Sequence, residues 1–214
     1  MAEVSTGTLP PRPASAAGYA EAADALVAQY ESIPFDRIHA SVLNYLAVPP
    51  CRVADIGAGT GRDATALAAR GHQVMAVEPV PELRAEGERR HADAAITWID
   101  DALPELDRLD GEFGLVLMTA VWMHLDDDER DRALKRVVSL LAPGGRWILT
   151  LRHGPVPDGR RMFDVNPGDL IFDAAGLGLE LAHFSYRDDL HGRGDVTWTS
   201  LVMEAPPESA STLS

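Results

Sequence analysis

The stretch Val53-Ala54-Asp55-Ile56-Gly57-Ala58-Gly59-Thr60-Gly61-Arg62 decides how this 214-residue chain is read. A short, mostly apolar run predicts a buried strand from Val53 to Ile56. Three glycines at alternate positions follow, and the Ala-rich segment from Arg62 to Arg70 reads as a helix stopped by Gly71. Glycine reaches the left-handed backbone angles of a tight turn and lets a ligand lie against bare main chain. In an open parallel sheet, ligands sit beyond the strand C-termini, near the first such loop. A plain β–α turn is built with one or two glycines; three of them, with Asp55 just ahead, predict a binding loop.

Working outward, the strand–turn–helix alternation repeats. Gln73–Val77, Ile96–Ile99, Leu115–Met118 and Trp147–Leu151 read as strands, and Pro81–Arg90 as a polar helix. Asp126 with Glu129 forms a capping box, and Leu134, Val137, Val138 and Leu141 supply one apolar helix face. Pro143-Gly144-Gly145 reads as the turn that ends that helix. Asn166-Pro167 opens another, running to about Ala175, which Gly176 and Gly178 break before two last strands, Leu179–Tyr186 and Val196–Met203. The loop between these two is too short for a helical crossover, so they are expected to pair antiparallel. Upstream, Ala17–Tyr30 reads as one helix, and Pro34 as the first position of a second with the stripe Ile38, Val42, Leu43, Leu46. The expected fold is a three-layer α/β domain: a mostly parallel seven-stranded sheet with an antiparallel last strand, plus N-terminal helices.

Charge and composition exclude several classes. Nineteen Lys and Arg against 33 Asp and Glu leave a net charge of −14, which repels a phosphate backbone and argues against nucleic acid as partner. The longest apolar run, Leu115 to Met123, falls well short of the roughly 20 residues of a membrane span. The N-terminus lacks a basic segment followed by an apolar one, so a cytoplasmic location away from membranes is expected. The single cysteine, Cys51, excludes an internal disulfide and a cysteine metal cluster, and no H-E-x-x-H spacing or G-x-S-x-G elbow appears. No metal is expected.

A dinucleotide loop is spaced G-x-G-x-x-G, whereas here Gly57, Gly59 and Gly61 give G-x-G-x-G, with Arg62 in the place of the third dinucleotide glycine. In this spacing the chain resembles the class I S-adenosylmethionine-dependent methyltransferases, over Arg52–Leu151 in its motifs and elsewhere only in its alternation of elements. The broad group with quinone-biosynthesis and tellurite-resistance methyltransferases is the nearest likeness. The resemblance implies S-adenosylmethionine as cofactor, with Asp55, Gly57, Ala58, Gly59, Gly61 and Arg62 forming its loop. It implies that Glu78, followed by Pro79, accepts from the ribose hydroxyls. Asp101 fits the acid that accepts from the adenine amino group, Asp100 is the alternative, and Ala102 follows them. Thr119, Ala120 and Val121 would line the methionine end, and Leu141–Arg146 is a recurrent structural turn. The Asn/Asp-Pro-Pro-aromatic sequence of amino-directed nucleic-acid methyltransferases is missing after the fourth strand. Cys51 precedes the first strand, on the wrong side for a cytosine nucleophile.

The substrate side is less marked. His124 and His153 each follow a central strand, where an imidazole either accepts a proton near neutral pH or merely orients its loop. Arg152, with Arg160 and Arg161 nearby, either recognises a carboxylate or phosphate or pairs with Asp158 or Asp164. Trp122, Tyr19 and Tyr30 wall a pocket or belong to the core, and Trp198 reads as packed within the last strand. The expectation is methyl transfer to a small-molecule O, N, S or C nucleophile by a monomer or homodimer. A nicotinamide-dependent oxidoreductase and a non-catalytic cofactor-binding module are the alternatives. Residues 17–204 read as one domain, with a helical cap at 17–48, the cofactor-binding core at 52–151, and the substrate loop and last strands at 152–204. Residues 1–16 and 205–214 read as disordered tails.

Overall fold

The computed structural model describes residues 13–46 and 48–208; the expected tails at 1–12 and 209–214 lie outside the described residues. Seven strands, β1 (Arg52–Ile56), β2 (Gln73–Val77), β3 (Ile96–Ile99), β4 (Phe113–Thr119), β5 (Leu141–His153), β6 (Glu180–Asp188) and β7 (Thr197–Glu204), form one sheet. Their order is β3-β2-β1-β4-β5-β7-β6. The first five are parallel, and β7 lies antiparallel between β5 and β6, as the short final loop requires. Ile56 is in register with Val77 on one side and Met118 on the other. The glycine loop therefore leaves the sheet at its centre, where the strand order reverses and a crevice opens.

Strand parity divides the core into two layers. Leu115 and Leu117 of β4 face one side, together with Ile148, while Val116 and Met118 face the other with Trp147 and Leu149. The first layer is covered by α2 (Phe35–Ile38), α3 (Leu43–Leu46) and α4 (Arg62–Ala68), through Phe35, Leu46, Ala64 and Leu67. The second is covered by α6 (Asp127–Leu140) and α7 (Pro167–Gly176), through Leu134, Val137 and Leu170. Asp126 caps α6 by accepting from the Glu129 N–H while the Glu129 side chain accepts from the Asp126 N–H, each at 2.9 Å. Such a cap stabilises a helix by about 1 kcal/mol. The N-terminal helix α1 (Ala23–Glu31) packs over α5 (Pro81–Arg90) in a third cluster, around Ala16, Val80 and Leu83, with Tyr19, Leu26 and Tyr30 against it.

Four boundaries differ from expectation. Residues 14–16, read as tail, form a 3-10 turn with Ala16 buried under the cap, and α1 begins only at Ala23. The single helix expected from Pro34 is two short ones. Pro34 is extended at the N-cap of α2, and α2 ends where His39 turns inward to Asp63, at 2.9 Å. Pro143-Gly144-Gly145 lies inside β5 as an irregularity in its ladder with β4, because the chain passes from α6 straight into strand. Residues 205 and 206 continue the pairing of β7 with β5: the Ala205 N–H donates to the Gly145 carbonyl and the Gly144 N–H to the Pro206 carbonyl.

Candidate functional site

The C-terminal ends of β1, β2, β4 and β5 and the N-terminal cap enclose a cavity of about 360 Å³. Its floor is the glycine loop. Gly57, Gly59 and Gly61 have φ of +72°, +57° and +83°, all in the left-handed region open to glycine. A Cβ on Gly57 would stand 2.4 Å from Val121 Cγ2, and one on Gly59 3.2 Å from the Tyr30 ring. Gly57 and Ala58 donate their N–H groups to the Val77 carbonyl, tying the loop to β2. Gly61 serves differently: it starts α4 and leaves room for Trp98 and does not line the cavity.

Glu78 stands at the end of β2 and is buried. Its Oε2 accepts from the Gly59 N–H and its Oε1 from the Val80 N–H, both at 2.8 Å. Burial pushes its carboxyl up to about 7, against the pull of those two N–H groups and Arg84. Asp55, at the end of β1, is buried with Oδ2 lacking a partner; burial and the nearby Asp63 push its carboxyl well up, opposed by Arg62. Asp63 itself is the hub of a network. It accepts from Arg62 Nε at 2.6 Å, Thr119 Oγ1 at 2.8 Å and His39 Nε2 at 2.9 Å. Burial works against its ionisation, yet the His39 and Arg62 side chains hold it far below the usual carboxylate range. Arg62 also donates to the Tyr30 carbonyl at 3.0 Å, linking loop to cap.

Asp101 lines the cavity with Ala102, its carboxylate accepting from the Ala102 and Arg108 N–H groups. Asp100 does not line it; its carboxylate pairs with Arg84 at 3.1 Å, half exposed. Pro79, Thr119, Ala120 and Val121 line the wall, with Ala120 at φ +60°. At the far side the Tyr19 hydroxyl meets His124 Nε2 at 2.8 Å, and His124 Nδ1 meets the Arg161 carbonyl at 2.7 Å. A carbonyl only accepts, so Nδ1 carries the proton and the Nε2 lone pair faces Tyr19. Burial lowers the His124 pKa and raises those of Tyr19 and Tyr30, whose hydroxyls bond each other.

The structure brings together Tyr19, Tyr30, Asp55, Gly57, Ala58, Gly59, Arg62, Glu78, Pro79, Asp101, Ala102, Thr119, Ala120, Val121, His124 and Arg152. Besides Gly61 and Asp100, two expected residues lie elsewhere. Trp122 is a core residue, 2% exposed and edge-on to Trp147 at 5.3 Å; its neighbours Met123 and Leu125 line the cavity instead. His153 follows Arg152 on β5 and so faces the other side of the sheet, where it bonds Thr199 Oγ1 at 2.8 Å. Conversely, Trp198 lines the cavity rather than only packing in its strand. Arg161 pairs with Asp126 and Glu129, not with Asp158 or Asp164. Asp63, His39, Thr60, Arg187, Asp189 and Arg193 were not singled out from the sequence. Only Asp63 carried a local signal, as an acid in the first turn after the glycine loop. Among the described residues no group of three or more His, Cys, Asp or Glu is set to hold a metal ion, and no helix is long and apolar enough to cross a membrane.

Residues 53–145 match the family model described as a methyltransferase domain. An uncharacterised methyltransferase of Mycobacterium tuberculosis is 36% identical over 95 residues, which cover 44% of this chain and 37% of that protein. The chain thus spans little more than a third of the length of its mycobacterial relatives. Among solved structures, the Burkholderia thailandensis 1,6-didemethyltoxoflavin-N1-methyltransferase, bound to 1,6-didemethyltoxoflavin and S-adenosylhomocysteine, is similar with a TM-score of 0.70. It is 20% identical, and the likeness covers 88% of this chain and 85% of that one. The N-methyltransferase NodS of Bradyrhizobium japonicum, in complex with S-adenosylhomocysteine, gives a TM-score of 0.65 at 16% identity, covering 87% and 98%. The sheet order also departs from the 3-2-1-4-5-6 of dinucleotide-binding folds by the antiparallel β7 inserted between β5 and β6. Loop, sheet order and family match agree: residues 53–145 match the methyltransferase domain model, and the chain has the fold of the class I S-adenosylmethionine-dependent methyltransferases.

Proposed function

We propose that this chain transfers the methyl group of S-adenosylmethionine to a small-molecule acceptor enclosed beneath its N-terminal cap. One observation carries the reading: the bare main chain at Gly57–Gly59, the Glu78 carboxylate and the unpartnered Asp55 Oδ2 belong to the same cavity as Tyr19, His124 and Arg152. These residues fit the cofactor. A side chain at Gly57 would strike Val121, so the cradle is kept clear by sequence. Glu78 would hold the ribose hydroxyls; Asp101 and Ala102 would flank the adenine. The glycine main chain, Asp55 and Thr119–Val121 would hold the methionine end.

When bound, the cofactor supplies a methyl group already activated on a sulfonium. The protein's share is alignment and removal of water, worth several kcal/mol of barrier. The cap closes the cavity through Tyr19, Leu26 and Tyr30. Where the acceptor atom carries a proton, Tyr19 takes it while passing its own to His124 Nε2, whose lone pair is already directed at that hydroxyl. The 1,6-didemethyltoxoflavin bound by the Burkholderia relative supports a small acceptor, and the net charge of −14 speaks against nucleic acid. The same reading has the enzyme work in the cytoplasm, away from membranes, as monomer or homodimer.

Isothermal calorimetry with S-adenosylhomocysteine and with NADH tests this. Saturable binding of the first alone is expected. Binding of NADH instead would assign an oxidoreductase, and binding of neither a non-catalytic module.

A further inference from the structure

We propose that the methyl acceptor carries an anionic oxygen group, carboxylate or phosphate, which docks on Arg152, Arg160 and Arg187 around Trp198; this rests on the methyltransferase reading above.

The strands build the site. Arg152 of β5 is in register with Trp198 of β7, and Trp198 with Arg187 of β6. Residues directly opposite each other in a sheet project from the same face. The three side chains thus form one row, arginine–tryptophan–arginine, and all three line the cavity. The Arg187 guanidinium lies over the Trp198 ring, 5.0 Å from its centroid. Arg160 closes the cluster from the loop after β5, its guanidinium 3.7 Å from the centroid of Tyr19.

The charges of this row lack matching acids. Arg152 donates to the Gly154 and Pro155 carbonyls and Arg187 to the Asp188 carbonyl, which are neutral acceptors. Arg187 Nε and Arg160 Nη1 are buried without a partner. The acid within the cavity wall beside them, Asp189, is already committed. Its two oxygens accept from Arg193 Nε and Nη2, from Trp198 Nε1 and from the N–H groups of His191 and Arg193. Asp195 lies within electrostatic reach of Arg152 but is exposed. Burial lowers the pKa of Arg152, with Arg193 adding to it, and burial lowers that of Arg187. A guanidinium stays charged in protein and offers a planar fork matched to carboxylate and phosphate oxygens. Three half-buried cations with open donors, in a protein of net charge −14, are a site for an anion. Asp189 then has a defined part: it fixes Arg193 and the Trp198 indole, and so holds the row in place.

The probes are benzoate, phenyl phosphate and neutral benzamide, titrated by calorimetry into the protein with and without saturating S-adenosylhomocysteine. Expected is saturable binding of benzoate or phenyl phosphate in both conditions, about tenfold or more tighter than benzamide. The tighter of the two anions names the group. Arg187→Gln and, independently, Arg152→Gln should each weaken the anion about tenfold while S-adenosylhomocysteine affinity stays within about twofold; a melting curve on each variant confirms folding. Equal binding of benzamide and benzoate, unchanged anion affinity in both variants, or no binding of either anion overturns the proposal. So does displacement of the anion by S-adenosylhomocysteine, since the arginines would then serve the cofactor's own carboxylate. Failure of S-adenosylhomocysteine to bind strikes the methyltransferase reading alone, because the titrations without it still decide whether the cluster takes an anion.

Discussion

The Glu78 carboxylate and the Gly59 N–H are joined by a 2.8 Å hydrogen bond. The acid at the end of β2 and the glycine loop after β1 therefore form one rigid unit, and Val80 fixes the second oxygen from the other side. Each oxygen keeps a lone pair for a further donor, which is what two ribose hydroxyls require.

Replacing this acid tests the unit. Glu78→Ala should weaken S-adenosylhomocysteine binding by about 1.5–3 kcal/mol for each charge-assisted bond lost. Calorimetry on folded variant reads this directly, and unchanged affinity would remove Glu78 from the site.

The same residue carries a pH signature. Its carboxyl is raised from 4.5 to about 7, chiefly by burial, so the folded protein binds more protons than the unfolded chain between those values. This contribution to stability is complete below 4.5 and is lost as pH rises through about 7. Denaturant melts should show Glu78→Gln flattening that decline. Because ribose hydroxyls donating to Glu78 would favour its ionised carboxylate, S-adenosylhomocysteine should bind more tightly at pH 8 than at pH 6, with the released proton making the binding enthalpy differ between calorimetric buffers.

Gly57→Ala places a Cβ 2.4 Å from Val121 Cγ2 on a backbone at φ +72°. The left-handed conformation alone costs about 1–2 kcal/mol. Thermal melts should show a loss at least that large, and adding Val121→Ala should recover the steric part but not the backbone part. A variant as stable as the parent would mean that the loop is free to rearrange.

Asp63 joins Arg62, His39 and Thr119 beneath the loop. Removing one partner of a buried ionic cluster leaves the others uncompensated, so Asp63→Ala should cost about 3–5 kcal/mol in a denaturation experiment. A loss below about 1 kcal/mol would show that the network is replaced by water.

The Tyr19–His124 pair makes a spectroscopic prediction. Nitrogen-15 NMR across a pH titration should show His124 taking up its proton at lower pH than a free imidazole, since burial lowers its pKa, and its neutral form as the Nδ1–H tautomer. Tyr19→Phe should shift the Nε2 resonance. A neutral ring carrying its proton on Nε2 would rule out the relay.

Much of this architecture is legible in the sequence because its signals are local. The runs that became β1, β2 and β4 are apolar over a strand length, and Asp126 with Glu129 marks the start of α6 from side-chain chemistry alone. Glu78 is found by its distance from the glycines. What stays hidden depends on strand parity and pairing. Arg152 and His153 are adjacent in the chain, and only the ladder with β7 shows that Arg152 shares a face with Trp198 while His153 turns away. Trp122 sits next to pocket residues yet belongs to the core, a one-residue difference that composition does not carry. His39 reaches Asp63 across 24 residues, a contact made at the point where the helix expected after Pro34 divides.

A crystal structure of the S-adenosylhomocysteine complex tests the central claim most directly. The account predicts the ribose hydroxyls within hydrogen-bond distance of both Glu78 oxygens, and the sulfur directed toward Tyr19 and His124. A ligand whose sugar lies away from Glu78, or a glycine loop filled by the protein's own side chains, would contradict it.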